Sequence, residues 1–170
     1  PVQLKAGTTD LYTGKPLFFG KEEMDERFLP VRASSAMPFV SEIVFHQGHA
    51  LLDGGCSTSI PLQCSLEDGN SYNVVVLTRD ASYRKGGRPE FPRAALRAKY
   101  GEYPLFIDAM LRRPQMYNRE VELCNQQEKE GKHCDKDAKN VPDRCNDQFA
   151  EDQSVLRDRQ GKHQIALIRH

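Results

Sequence analysis

Alternating hydrophobic and polar positions predict short β-strands in the first 80 residues. Residues 2–7 alternate at every position, and residues 16–19 form a short apolar run between two glycines. Residues 42–45 and 49–52 are typical of the two arms of a hairpin. The β-branched run 72–78 suits a strand that is covered on both faces, as in a parallel sheet.

Other segments have the composition and spacing of helices. Residues 29–37 predict a helix that Pro38 stops, and residues 61–66 predict a short second one. Apolar side chains within 103–111 indicate a further helix, and 116–132 continue as a charged helix. Strands and helices both occur along the chain, so the predicted fold class is α/β.

Charge and composition exclude several classes of protein. The chain of 170 residues carries 24 basic and 24 acidic side chains, and its zero net charge argues against a general nucleic-acid binder. No apolar run approaches the roughly 20 residues that span a bilayer, and the first residues lack a signal-peptide pattern. Five cysteines without paired spacing argue against a disulfide framework. We therefore expect a cytoplasmic protein.

The distribution of apolar residues predicts two parts. The chain opens in strand-like sequence without a Met and stops after an apolar run, so we interpret it as a piece of a longer protein. Residues 125–162 are poor in large apolar side chains and bury too little surface to offset the entropy of an ordered chain. We expect a folded segment 1–124 and a polar, helical or loosely ordered extension 125–170.

The most informative motif is Asp53-Gly54-Gly55, at the end of an apolar strand. An Asp before two glycines is, by itself, typical of a tight turn in which the Asp binds its own backbone. A carboxylate in a partly desolvated site can also take the proton of a serine hydroxyl and activate it as a nucleophile. The glycines let the backbone turn sharply, which aims the carboxylate. The motif therefore has a structural and a catalytic interpretation.

The neighbours of this motif favour the catalytic interpretation. Thr9 and Asp10 precede a Thr-Gly turn, an Arg-Ala-Ser helix contains Arg32, and a Val-Val-Leu-Thr-Arg strand ends at Arg79. In this order and spacing the set resembles the patatin-like phospholipases, specifically their bacterial cytosolic branch. The resemblance covers roughly residues 1–131 and rests on the ensemble of motifs rather than on one of them.

The resemblance implies a three-layer α/β/α sandwich with a mainly parallel central sheet, and a Ser–Asp dyad that hydrolyses lipid esters without a cofactor. In that family the serine lies in a Gly-x-Ser-x-Gly turn, a glycine-rich loop forms the oxyanion hole, and an Asp-Gly-Gly aspartate is the base. Asp53 matches this aspartate, and Gly54 and Gly55 match its supporting glycines. No Gly-x-Ser-x-Gly occurs in this sequence. We therefore expect the chain to supply the base without the nucleophile and to be nearly inactive alone.

Residues before the motif are candidates for an acyl-binding pocket. A helix that Pro38 stops beside a catalytic turn is well placed to contact substrate, although ordinary packing is the favoured interpretation for two of its apolar members. The candidate substrate-binding residues are Arg32, Ser34, Ser35, Met37 and Phe39, of which Met37 and Phe39 are the two apolar ones.

Two further sets of residues have competing interpretations. A basic stretch containing Tyr103, Leu105, Phe106, Ile107 and Met110 suits an anionic membrane surface or, more simply, a helix docked on the sheet. A second set lacks the short Cys-x2–4-Cys spacing of structural zinc sites, so we predict no metal site. Its members are Cys124, His133, Cys134, Cys145 and His163.

A non-catalytic interaction module is the alternative to an enzyme. A sheet that lacks its first strands exposes an unpaired edge and an apolar face, which predicts that the chain dimerises, swaps or aggregates. The expected partners are therefore a lipid or other ester substrate, a second copy bound through the sheet edge, and a peripheral membrane surface, with no nucleic acid.

Overall fold

The computed structural model describes residues 3–70, 72–134, 156–157 and 164–169, with side chains for 3–70 and 72–130. Two compact units contain these residues: Pro1–Pro61 with Arg84–Asn118, and Leu62–Tyr83 with Arg119–His170. The strands and helices follow one another along the chain in this order: β1 Lys5–Asp10, β2 Lys15–Gly20, α1 Leu29–Ser34, β3 Val44–His46, β4 His49–Asp53, α2 Leu62–Glu67, β5 Tyr72–Leu77, α3 Arg93–Tyr100, α4 Pro104–Cys134, β6 Leu156–Arg157 and β7 Gln164–Arg169.

The first unit contains a sheet with strand order β2-β1-β4-β3, in which every neighbouring pair is antiparallel. Strands β3 and β4 join through Gln47 and Gly48, whose φ angles of 49° and 82° are typical of a tight hairpin turn. The pairing of β1 with β4 brings Thr8 opposite Asp53. The candidate motif therefore follows directly on a central strand of this sheet.

Apolar side chains cover both faces of strand β4. Consecutive strand residues point to opposite faces of a sheet. Leu51 packs in a cluster with Phe19 and Ala33 of α1, whereas Leu52 belongs to a larger cluster that includes Phe106 of α4. The side chains of Leu51, Leu52, Phe19 and Phe106 are each at most 2% exposed. Burial of such a side chain stabilises the folded state by roughly 1.5–3 kcal/mol. The strand that ends at the motif is therefore rigidly held.

The second unit contains a sheet with strand order β5-β7-β6, again with antiparallel pairs. Strand β5 lies at its edge and pairs with β7 from Tyr72 opposite Arg169 to Leu77 opposite Gln164. The hydroxyl of Ser65 in helix α2 donates a hydrogen bond to Oδ1 of Asn73 in this strand. This unit thus contains the short helix α2, the part of α4 from Arg119 onward and a three-stranded sheet.

The mixed α/β class is confirmed, but the strand pairs that the structure describes are antiparallel, not mainly parallel. Short turns join β1 to β2 and β3 to β4, and strands joined in this way can pair only antiparallel, because a parallel pair needs a long crossover. The expectation that 72–78 is covered on both faces is also wrong, because Tyr72, Val74 and Val76 are more than 60% exposed. Their β-branched composition reports strand propensity and does not establish burial.

The helices are confirmed with different limits. The helix predicted over 29–37 ends at Ser34, where the backbone N–H groups of Ser35 and Ala36 bond three residues back, to Arg32 and Ala33, and the α-helical pattern stops. The two helices predicted within 103–132 are one helix, α4, with a proline inside it. In the described part of the chain, no helix has both the length and the apolar character to cross a membrane.

The predicted division between residues 124 and 125 stays a prediction. Helix α4 passes through this point and extends to Cys134. Of residues 135–162 the structure describes only 156–157, so the proposed loosely ordered extension lies mostly outside the described residues.

Candidate functional site

Asp53 ends strand β4 with its carboxylate held by the turn that follows. Its Oδ1 atom accepts a 2.7 Å hydrogen bond from the backbone N–H of Gly55. Its own N–H donates to the carbonyl oxygen of Ala36 at 2.9 Å, which joins the strand end to the chain after α1. The side chain is half-buried. Backbone groups therefore hold both the carboxylate and the main chain of Asp53.

The second carboxylate oxygen of Asp53 has a different environment. Among the described residues, no group donates a hydrogen bond to Oδ2, and no serine hydroxyl contacts the carboxylate. One oxygen thus orients the side chain, while the other is available to a group that this part of the chain does not supply. A general base needs this combination of fixed position and open lone pairs.

The two glycines provide space in the turn. A Cβ atom on Gly54 would lie 2.5 Å from the carbonyl oxygen of Gly7, and one on Gly55 would lie 3.1 Å from Oδ1 of Asp53. Neither glycine has a positive φ angle. That these glycines let the chain turn sharply stays a prediction. The structure adds that Gly54 closely approaches β1 and that Gly55 closely approaches the carboxylate.

The buried hydroxyl of Thr9 on strand β1 holds the turn through hydrogen bonds. Thr9 is 0% exposed, and its hydroxyl donates to the carbonyl oxygen of Asp53 at 2.9 Å. The hydroxyl of Ser57 lies 2.7 Å from the same Thr9 oxygen. Because the single Thr9 proton is directed at Asp53, Ser57 must donate to Thr9. Ser57 is therefore a structural hydroxyl of the turn.

Charged side chains hold the outer side of the turn. Arg113 of α4 donates through Nε to the carbonyl oxygen of Gly55 at 2.6 Å and through Nη1 to Glu90. The other Glu90 oxygen accepts from Lys85. Burial raises the pKa of Glu90, but the hydrogen bond and charge of Lys85 and the charge of Arg113 outweigh it and lower the pKa. Glu90 therefore stays ionised between two cations.

Cys56 is the nucleophilic side chain nearest in sequence to Asp53, but its thiol stays protonated at neutral pH. It is 2% exposed. Burial, with a smaller contribution from the negative charge of Asp53, raises the pKa of this thiol to about 12. Because the thiolate is the reactive form, Cys56 is inert at neutral pH.

The candidate pocket residues do not converge on Asp53. Arg32 and Ser35 line a groove of about 460 Å³ that Asp53 does not line, although Ala36 lies in it. Ser34 is half-buried, and Met37 is 57% exposed. Only the backbone of Ala36 therefore connects this groove with the candidate base.

Phe39 has a structural role in the turn after α1. Its φ angle is 68°, an uncommon conformation for an aromatic residue. Its N–H donates to the Tyr100 hydroxyl at 2.8 Å, and its ring packs on Phe91 and Tyr100. This agrees with the packing interpretation that the sequence favoured for Phe39.

Most apolar residues of the basic stretch are buried, and the described residues of the cysteine and histidine set form no metal cluster. Of the apolar residues proposed for membrane contact, Leu105 is 50% exposed and Tyr103, Phe106, Ile107 and Met110 are buried in the core. In the described part of the chain, no three His, Cys, Asp or Glu side chains are grouped to hold a metal ion. Cys145 and His163, and the side chains of His133 and Cys134, lie outside the described residues.

Several residues of the site carried no local signal in the sequence. In the sequence, Arg113, Glu90 and Lys85 belong only to a charged stretch, and Thr9 only to the set of motifs that carries the resemblance. The contacts of Thr9 and Arg113 with the turn join residues 44 and 58 positions apart. Comparisons of the chain with protein-family models, with characterised proteins and with solved structures find no match.

Proposed function

We propose that Asp53 is the general base of a patatin-type serine acyl hydrolase whose nucleophile lies outside these 170 residues. One observation carries this proposal: Oδ1 of Asp53 is fixed by the Gly55 N–H, while Oδ2 accepts no hydrogen bond from the described residues. A carboxylate held in this way presents one basic oxygen in a defined direction, as proton transfer from a serine requires.

The reaction cycle balances with this single base. Oδ2 of Asp53 takes the serine proton as the serine oxygen bonds to the ester carbonyl carbon, and returns that proton to the alcohol as the ester bond breaks. Water then adds to the acyl-serine and gives a proton to Asp53. The acid leaves as that proton returns to the serine oxygen. The cycle consumes one ester and one water and regenerates both side chains.

The proposed substrate is a lipid ester in the cytoplasm or at a membrane surface. The groove beside α1 has an apolar part that fits an acyl chain, lined by Leu29, Ile43, Val44 and Phe45. Its polar part is lined by Arg32, Ser35, Ser41 and Glu42 and fits the polar portion of a lipid ester. Ala36 lies in this groove and accepts the N–H of Asp53. The proposal also includes the three-layer sandwich with a mainly parallel central sheet, to which strands outside the described residues would contribute.

The test is labelling by a fluorophosphonate serine-hydrolase probe. The chain alone is compared with a polypeptide that also carries the natural upstream segment, and labelling is expected only for the longer one. Asp53→Asn should lower its labelling rate by about a hundredfold or more, and Asp108→Asn, at a half-buried position of α4, should not. An unchanged rate in Asp53→Asn, or labelling of the short chain, contradicts the proposal.

A second candidate function is self-association through strand β5. Its side chains Tyr72, Val74 and Val76 are 67%, 64% and 61% exposed, and the strand lies at the edge of its described sheet. We propose a second copy as the occupant, because β5 carries no charge and two identical strands can pair antiparallel without repulsion.

Sedimentation velocity tests this second candidate. We expect a dimer at tens of micromolar that dissociates in Val74→Lys, while the matched Val40→Lys, at a position 80% exposed, leaves it intact. A monomer at this concentration contradicts self-association and does not affect the proposal for Asp53.

A further inference from the structure

Three segments that are distant in the sequence meet at the Arg113 guanidinium. The turn contributes the carbonyl oxygen of Gly55, helix α4 contributes Arg113 itself, and the segment before α3 contributes Glu90, which Lys85 also binds. Arg113 is 58 residues from Gly55 in the sequence and donates to it at 2.6 Å. A contact this short between a charged donor and a backbone acceptor belongs to the stronger class of hydrogen bonds.

Arg113 is itself held in one orientation. Its Nε atom donates to Gly55 while Nη1 donates to Glu90, so two fixed acceptors define the plane of the guanidinium. The Glu90 carboxylate also binds Lys85. The Arg113 side chain is only 25% exposed. The guanidinium therefore has little freedom to leave the turn.

The segment that carries Glu90 is tied to the same helix. The backbone N–H of Lys85 donates to Asn118 Oδ1 at 2.8 Å, and Asn118 Nδ2 donates back to the Lys85 carbonyl oxygen at 3.0 Å. Arg113 and Asn118 lie little more than one helical turn apart on α4. Both ends of the Lys85–Glu90 segment are thus anchored on α4.

These contacts act on the residue that orients Asp53. The N–H of Gly55 donates to Asp53 Oδ1, and its carbonyl oxygen accepts from Arg113. Glycine has more backbone freedom than any other residue, so a turn through Gly55 keeps one geometry only when outside contacts hold it. Arg113 provides such a contact at the Gly55 carbonyl oxygen, to which the Ser59 hydroxyl of the turn also donates at 3.2 Å.

We propose that Arg113, supported by Glu90 and Lys85, is the positioning residue of the candidate base and acts by holding the backbone of Gly55. This inference rests on the proposed function of Asp53. It predicts that loss of Arg113 loosens the hydrogen bond between Gly55 and Asp53 while the core of the unit stays folded. In a complete enzyme, a loosened base slows the chemical step more than substrate binding.

Amide hydrogen exchange in the 170-residue chain tests the positioning without any activity. Arg113→Met should speed exchange of the Gly55 N–H by about tenfold or more, with core amides such as Leu52 unchanged. Arg113→Lys should restore protection only in part, because an ammonium cannot bind both acceptors with the geometry of a guanidinium. The control is Arg112→Met, since the exposed Arg112 binds only its own helix at Asp108.

Exchange at Gly55 that is unchanged in folded Arg113→Met overturns the positioning role and leaves the proposal for Asp53 intact. If Arg113→Met does not fold, Glu90→Gln is used, and an unchanged Gly55 rate there overturns it as well.

A kinetic measurement separates failure of the positioning role from failure of the proposed function. In the longer polypeptide, Arg113→Met should lower kcat with little change in KM. Full activity of Asp53→Asn would show that Asp53 is not the general base. The positioning role of Arg113 would then fail as well, even if the exchange rate of Gly55 shows that Arg113 holds its backbone.

Discussion

Gly54 packs against Gly7 so closely that a Cβ atom on Gly54 would lie 2.5 Å from the Gly7 carbonyl oxygen. The backbone of β1 therefore forms the floor of the candidate turn. We expect Gly54→Ala to lower the free energy of unfolding by about 1–3 kcal/mol, measured by urea denaturation. Gly86→Ala, where nothing lies within 4 Å of the added atom, should cost nothing measurable. Equal losses in the two variants would contradict this role of Gly54.

Thr9 links β1 with the turn through a hydroxyl that has no access to solvent. Thr9→Val keeps the shape but removes the donor to Asp53 and the acceptor of Ser57. We expect a loss of about 1–3 kcal/mol in unfolding free energy, because buried polar groups lose their partners. The matched Thr78→Val, at an exposed position, should change it by less than about 0.5 kcal/mol. Thermal and urea unfolding both measure the difference.

The Cys56 thiol should resist alkylation in the folded chain. Burial and the nearby Asp53 charge raise its pKa to about 12, so almost no thiolate exists at pH 8. We expect iodoacetamide to modify Cys56 about a hundredfold more slowly than half-buried Cys64, followed by mass spectrometry of the separated peptides. In urea the two rates should converge. Fast modification of Cys56 in the folded chain would show that the turn opens.

Glu90 should make folding stability depend on pH in acid. Its pKa in the folded chain lies below the usual value of 4.5, because Lys85 and Arg113 outweigh the effect of burial. Its contribution is therefore present above pH 4.5 and is lost as the pH falls through the folded-state pKa. Glu90→Gln should show a smaller loss of stability on acidification, measured by urea unfolding between pH 3 and pH 6. The exposed Glu26→Gln should keep the original dependence.

Local features of the sequence were sufficient to predict the turn but not its supports. The Asp53-Gly54-Gly55 motif and the hairpin turn at Gln47 and Gly48 depend on residues next to each other, so their spacing carries the information. Thr9 and Arg113 reach the turn only after the chain has folded back across 44 and 58 residues. The local sequence around a single Thr in a strand, or a single Arg in a charged helix, does not indicate which distant residue it will contact.

The partners of strand β5 illustrate the same limit. Its β-branched residues predicted a strand, and the structure agrees. Whether the neighbouring strand runs parallel or antiparallel depends on β7, whose Arg169 pairs with Tyr72. These two residues are separated by more than half of the sequence. Strand propensity acts within one segment, whereas direction and coverage depend on what else packs there.

The position of Arg113 also sets an order of events during protein synthesis. At roughly 5–20 residues per second, the ribosome needs roughly 3–12 seconds to advance the 58 residues from Gly55 to Arg113. During this interval the nascent chain already contains Asp53 and both glycines but not the guanidinium that holds their backbone. In a hydrolase built on this turn, the base would therefore be positioned only after the helix that carries Arg113 has emerged from the ribosome and docked.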